Sequence, residues 1–167
     1  MRSERPAVSP PTLSGLDIAL EILAIAGLII MIGLIADLWP ALPASVPSHF
    51  DITGQPDEWG SKNTLLIFPI AGLILYALTS LAVRFPRMIN YPVRITPQNA
   101  QRQYTLVVGM MRWLKAEVIW MMAFLAWQTA QVALGRAGAL AGEFVFIIVG
   151  AMLITFVVYF IQALRAR

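Results

Sequence analysis

Cysteine is missing from the chain altogether. Disulfides, thiolate metal sites and a cysteine nucleophile are therefore excluded. Histidine occurs once, as His49, so one chain cannot assemble a multi-histidine metal site. Charge is scarce too. Asp, Glu, Lys and Arg make up 13% of the residues, against the ~25% of an average soluble domain. The shortfall is concentrated in long apolar runs, for which lipid is the fitting solvent. No internal repeat and no low-complexity segment interrupts them. A length of 167 residues leaves room for one compact domain, not two.

What is present is apolar: 59% of the residues are hydrophobic. Runs over 18–36, 64–83, 118–134 and 144–164 predict four transmembrane helices, each close to the ~20 residues a bilayer core needs. The fold class expected is an all-α polytopic membrane protein. The first run ends in Asp37-Leu38-Trp39-Pro40, not in the small residues a signal peptidase cuts, so it reads as a span. Gly27 and Gly33 inside it offer another helix close approach. Pro69 is expected to kink the second span near its start or to end a tight first turn. Residues 1–14, with Arg2 and Arg5, read as a flexible cytoplasmic tail, and 15–167 as a single membrane domain.

The linkers differ in sign. The first, 37–63, carries Asp37, Asp51, Asp57 and Glu58 against Lys62. The second, 84–117, carries Arg84, Arg87, Arg94, Arg102, Arg112 and Lys115 against Glu117. Lys and Arg stay on the cytoplasmic side. Together with Arg2, Arg5, Arg165 and Arg167, they put both termini and the basic linker inside a cell membrane and the acidic loop outside. Thr96-Pro97 reads as an N-cap followed by proline at the first helical position. A helix from Pro97 to Leu134 would be roughly 57 Å long at 1.5 Å per residue, so several turns are expected to project inward.

The outward loop has its own turn chemistry. Pro43 and Pro47 hold its first part extended, and 48–52 suits a short strand. Thr53-Gly54 and Pro56-Asp57 supply two turns. Ser61 or Asn63 can cap the second span, and Trp39 and Trp59 bracket the loop as interfacial anchors. An ordered loop is therefore expected. Its pattern is Leu42-Pro43, three residues, Pro47, one residue, His49-Phe50, then Gly54-x-Pro56 and Trp59-Gly60-Ser61-Lys62. This resembles the domain of unknown function at the amino end of SdpI-type bacterial membrane proteins, where the motif lies between the first two spans. A second tract is similar to the segment after span two in related short proteins: Asn90-Tyr91-Pro92-Val93, Ile95-Thr96, Asn99, Arg102-Gln103-Tyr104 and Arg112-Trp113-Leu114-Lys115. The resemblance implies immunity and signalling relatives that protect a producer from its own secreted toxin. The chain is expected to be a short form without their carboxy-terminal membrane domain.

Three groups of residues are candidate sites. His49, Asp51, Asp57, Glu58 and Trp59 in the outward loop are the candidates for ligand or partner recognition. Carboxylates beside a histidine also suit a hard cation or acid–base work, but a loop hydrogen-bonding its own turns is the preferred reading. No metal, cofactor or catalytic residue is expected. Trp113, Glu117, Trp120, Phe124 and Trp127, continued by Gln131, recur at helical spacing and would pack on neighbouring helices or hold an apolar ligand. Met110, Met111, Met121 and Met122 read as adaptable packing. Glu21, one turn after Asp17, sits at the edge of the first apolar run and needs a partner among Arg84, Arg112 and Lys115. No acidic residue is expected in mid-membrane, which argues against an ion-coupled transporter. The basic linker serves topology and anionic lipid rather than nucleic acid, whose motifs it lacks. The function expected is that of a non-enzymatic membrane protein of immunity or sensor type, with a secreted peptide or envelope signal as partner. The alternative is an accessory subunit docked to another membrane protein. Lipids are partners in either case.

Overall fold

The computed structural model describes residues 6–167; Arg2 and Arg5 of the expected tail lie outside the described residues. Helix α1 (Gly15–Leu38) starts at a capping box. The Asp17 N–H donates to Ser14 Oγ, and the Ser14 N–H donates back to Asp17 Oδ2 at 2.8 Å, so two N–H groups without helical partners are satisfied at once. Strands β1 (Ser45–Phe50) and β2 (Pro56–Ser61) follow, then a 3₁₀ turn over Lys62–Leu66 and helix α2 (Ile67–Ala82). The chain continues into α3 (Ala100–Ala133) and α4 (Gly142–Arg165).

The fold is mostly helical but not all-α. Proline-rich extended backbone pairs with the return segment as a two-stranded antiparallel sheet, with Ser45 opposite Ser61 and Phe50 opposite Pro56. Pro69 sits in the first turn of α2, where its missing N–H costs no helical hydrogen bond. The tight 3₁₀ turn ends earlier, at Leu66, just before α2 begins. Thr96 and Asn99 exchange side-chain to backbone hydrogen bonds, 2.8 Å and 3.3 Å, and regular α3 begins only after them, at Ala100. Its other end is closed by Gly135 at φ +68, with the Arg136 N–H donating to the Gln131 carbonyl at 2.9 Å.

Three helical segments are long and apolar enough to cross a membrane: Gly15–Leu38, Lys62–Ala82 and Gly142–Arg165. The run expected over 118–134 forms the carboxyl-terminal half of α3, which mixes apolar with polar residues and packs against α1, α2 and α4. Its Ala116, Ile119, Ala123 and Ala126 bury against Leu20, Ala24, Leu28, Met31 and Ile35 of α1. Small side chains on α3 let the two backbones approach. Gly27 belongs to that contact, since a Cβ there would meet Ile119 at 2.9 Å. Gly33 does not; nothing lies within 4 Å of its Cβ position.

The second sequence tract acts as a clamp on helix ends. Buried Gln103 donates from Nε2 to the Ala163 carbonyl at 2.8 Å and the Ala166 carbonyl at 3.2 Å. The Tyr104 hydroxyl donates to the Val83 carbonyl. Two adjacent side chains of α3 thereby reach carbonyls at the carboxyl ends of α4 and α2, where helical partners run out.

Candidate functional site

The loop between α1 and α2 is a hairpin with one face held and one face free. Leu42, Val46 and Leu65 bury against Ala130 of α3, and Trp39 and Leu134 pack around them. Asp51 builds the tip. Its Oδ1 accepts from the Thr53 N–H at 2.8 Å, the Thr53 hydroxyl at 2.6 Å and the Gln55 N–H at 2.9 Å. The Thr53 hydroxyl, first among these donors, holds the Asp51 carboxyl below the usual carboxylate range. Gly54 takes φ +81, and its carbonyl accepts from the Leu140 N–H of the α3–α4 connection at 2.8 Å. Hairpin and connection are thus fastened together.

Across the strands, His49 Nδ1 lies 2.6 Å from Asp57 Oδ1. This contact, in the open with 62% and 45% of the two side chains exposed, raises the His49 pKa above its ordinary 6.5. Glu58 is exposed and Trp59 is 54% exposed. The five loop candidates therefore divide by task. Asp51 shapes the turn, while His49, Asp57, Glu58 and Trp59 face outward. Among the described residues no group of three His, Asp or Glu could hold a metal ion. Lys62 crosses back to the membrane end of α1, donating to the Trp39 carbonyl at 3.3 Å.

At the opposite end of the bundle, Glu21 meets Lys115. The ammonium contacts both carboxylate oxygens, at 2.6 Å and 2.8 Å, and also donates to the Ser80 hydroxyl at 3.1 Å. The Tyr76 hydroxyl donates to Glu21 at 3.1 Å, and the ammonium lies 4.4 Å from the Tyr76 ring centroid. Arg112 serves Asp17 instead, at 2.7 Å, and comes within 4.0 Å of Glu21. Arg84 lines the same cavity, of about 300 Å³, without forming an ion pair with Glu21. Tyr76 and Ser80 complete this site without any periodic or charge signal in the sequence that points to them.

The aromatic stripe of α3 does not act as one face. Trp120 turns to α1, where its Nε1–H donates to the Leu23 carbonyl at 3.0 Å beside Gly27. Phe124 turns to α4 and stacks on Phe144 at 4.1 Å between centroids; Trp127 lies 6.0 Å from Phe124 and stays partly exposed. Glu117, assigned from sequence to the basic linker, accepts from Thr155 Oγ1 at 2.8 Å in the middle of apolar α4. The expectation that no acidic side chain sits at such a depth in an apolar helix layer is corrected by this contact. Antiparallel packing carries Glu117 there, since α3 starts beside the carboxyl end of α4.

The hairpin also lies within the segment that matches a known family. A family described as "Domain of unknown function (DUF1648)" matches residues 24–73. Those residues comprise most of α1, the whole hairpin and the start of α2. An "Uncharacterized protein" of the archaeon Archaeoglobus fulgidus is 42% identical over 59 aligned positions, covering 30% of this chain and 32% of the relative. The alignment thus spans about a third of that protein's length. No solved structure matches. The residues that the family matches carry the hairpin motif.

Proposed function

We propose that this chain is a non-enzymatic membrane protein of sensor or immunity type, with the outward hairpin as its recognition surface. The observation that carries the reading is the two-sidedness of the hairpin. Val46 is fully buried toward α3, whereas Trp59, His49, Asp57 and Glu58 are offered outward on a backbone held at both ends. A surface ordered before binding loses less conformational freedom on binding. An exposed indole beside charged groups suits a partner with apolar and basic character, such as a secreted peptide.

Four spans with both termini inside complete this reading. The charge signs of the linkers support the orientation. The packing of α3 from the carboxyl end of α4 to the hairpin base supports its role as the fourth crossing. The SdpI-like motif supports the immunity class of function. The test replaces His49, Asp57 and Trp59 one at a time and measures membrane level and toxin protection separately. Loss of protection at normal membrane level is expected. Substitutions that act only by lowering protein level would reduce the hairpin to a structural element. Recovery of the chain in a stable complex, unaffected by these substitutions, would favour an accessory subunit.

A further inference from the structure

A groove of about 590 Å³ runs between α3 and α4, on the far side of the bundle from the hairpin candidates. Thr105 marks one end and Glu117 the other, roughly 18 Å apart at 1.5 Å per helical residue. Its walls are apolar, formed by residues such as Leu106, Met110, Ile154 and Val158. Ile154 is 65% and Val158 45% exposed, so the groove opens sideways, toward the lipid that surrounds a spanning helix. Gly109 leaves part of it empty, with nothing within 4 Å of its Cβ position.

Two buried polar atoms in this groove have no partner among the described residues: Glu117 Oε2 and the Tyr159 hydroxyl. Tyr159 is 6% exposed. The other carboxylate oxygen of Glu117 is taken by Thr155. Among the described residues no Lys, Arg or His lines the groove, and Glu117 forms no ion pair. The contrast with Glu21 is direct, for that carboxylate is held by a buried lysine. An unpaired acid within an apolar layer is costly and marks a site rather than packing. Two aromatic rings, Trp113 and Tyr159, stand on the same lining, each one turn from the Glu117–Thr155 contact and both on the side toward Thr105, because the helices run antiparallel. A carboxylate with two aromatic rings next to it inside apolar walls is complementary to a cation carried on an apolar body.

We propose that this groove binds a lipophilic amine from the membrane. Its protonated nitrogen donates to Glu117 Oε2 and lies against the rings of Trp113 and Tyr159. Its hydrocarbon part fills the space beside Gly109. Binding is reversible and involves no covalent step. The site is independent of the hairpin and of the function proposed for it.

The full chain in phosphatidylcholine nanodiscs is titrated with spin-labelled dodecylamine, and quenching of tryptophan fluorescence is followed. Unlabelled dodecylamine and dodecanol serve as competitors. Saturable quenching is expected, displaced by the amine at least about tenfold more effectively than by the alcohol, as one charge-assisted hydrogen bond implies. Glu117→Gln erases that preference. Gly109→Leu, whose Cβ has nothing within 4 Å and whose side chain takes up groove space, abolishes saturable quenching while the protein stays folded. Quenching that never saturates, equal competition by amine and alcohol, or saturable binding retained by folded Gly109→Leu would each overturn the proposal. Should Glu117→Gln fail to accumulate, Gly109→Leu decides alone.

Discussion

Single side chains carry the electrostatics of this protein. Lys115 is 3% exposed, so its ammonium depends on Glu21 for a counter-charge. Glu21→Gln is expected to destabilise the protein in detergent by somewhat less than the ~3–5 kcal/mol of a fully buried broken pair, because the Glu21 side chain is 31% exposed. A second substitution, Lys115→Met, should restore part of the loss, since it removes the orphaned charge. A lower melting temperature for the single variant and partial recovery in the double variant are the results to look for. His49 behaves differently because it lies in the open. Asp57 raises its pKa above 6.5, first through their hydrogen bond and then through charge. A raised pKa in the folded hairpin means that the pair stabilises it fully below 6.5 and loses this effect as pH rises through the raised value. An NMR titration of His49 should give a midpoint above 6.5, and Asp57→Asn should bring it down toward the ordinary value.

Among the elements, the hairpin has the most specific turn chemistry and the most legible origin in sequence. Asp51, Thr53, Gly54 and Gln55 form a turn from neighbours, so local rules are enough to foresee it. What fastens the tip to the rest of the molecule is not local. The Gly54 carbonyl receives the Leu140 N–H, and a Cβ on Gly54 would approach the Leu140 carbonyl oxygen to 2.5 Å. Gly54→Val therefore meets both a positive φ and a backbone clash. Its expected outcome is faster hydrogen exchange at the Leu140 amide, with the protection of α1 unchanged. Gly33→Ala, which meets nothing, is the control and should leave exchange and melting alike. Gly27 and Gly33, both inside the apolar run of α1, look equivalent in sequence. Packing against Ile119 and Trp120 makes only Gly27 a close-approach site.

For the molecule as a whole, the absence of cysteine makes topology directly measurable, since any introduced thiol is the only one. Gln55→Cys is expected to react with a membrane-impermeant maleimide in intact cells and Arg102→Cys only after the membrane is opened. The reverse pattern would invert the orientation. Both positions are exposed, so access to the thiol depends on the side of the membrane and not on burial.

Composition and patterning alone determined that lipid surrounds this chain, where its apolar helices run, which linker is acidic and where the hairpin turns. These are local properties: length of an apolar run, sign of flanking charge, and φ preferences of Pro, Gly and Asp. Tertiary structure decided the rest. It chose Lys115 over Arg84 for Glu21, a partner 94 residues away. It set Gln103 and Tyr104 against the ends of α4 and α2, parted Trp120 from Phe124, and carried Glu117 into the middle of α4. Each of these contacts depends on how closely helices approach and at what stagger, which the volumes of Gly27, Ala116 and Ala123 fix between elements distant in the chain. Periodicity along one helix places a residue on a face, and only packing determines what that face meets.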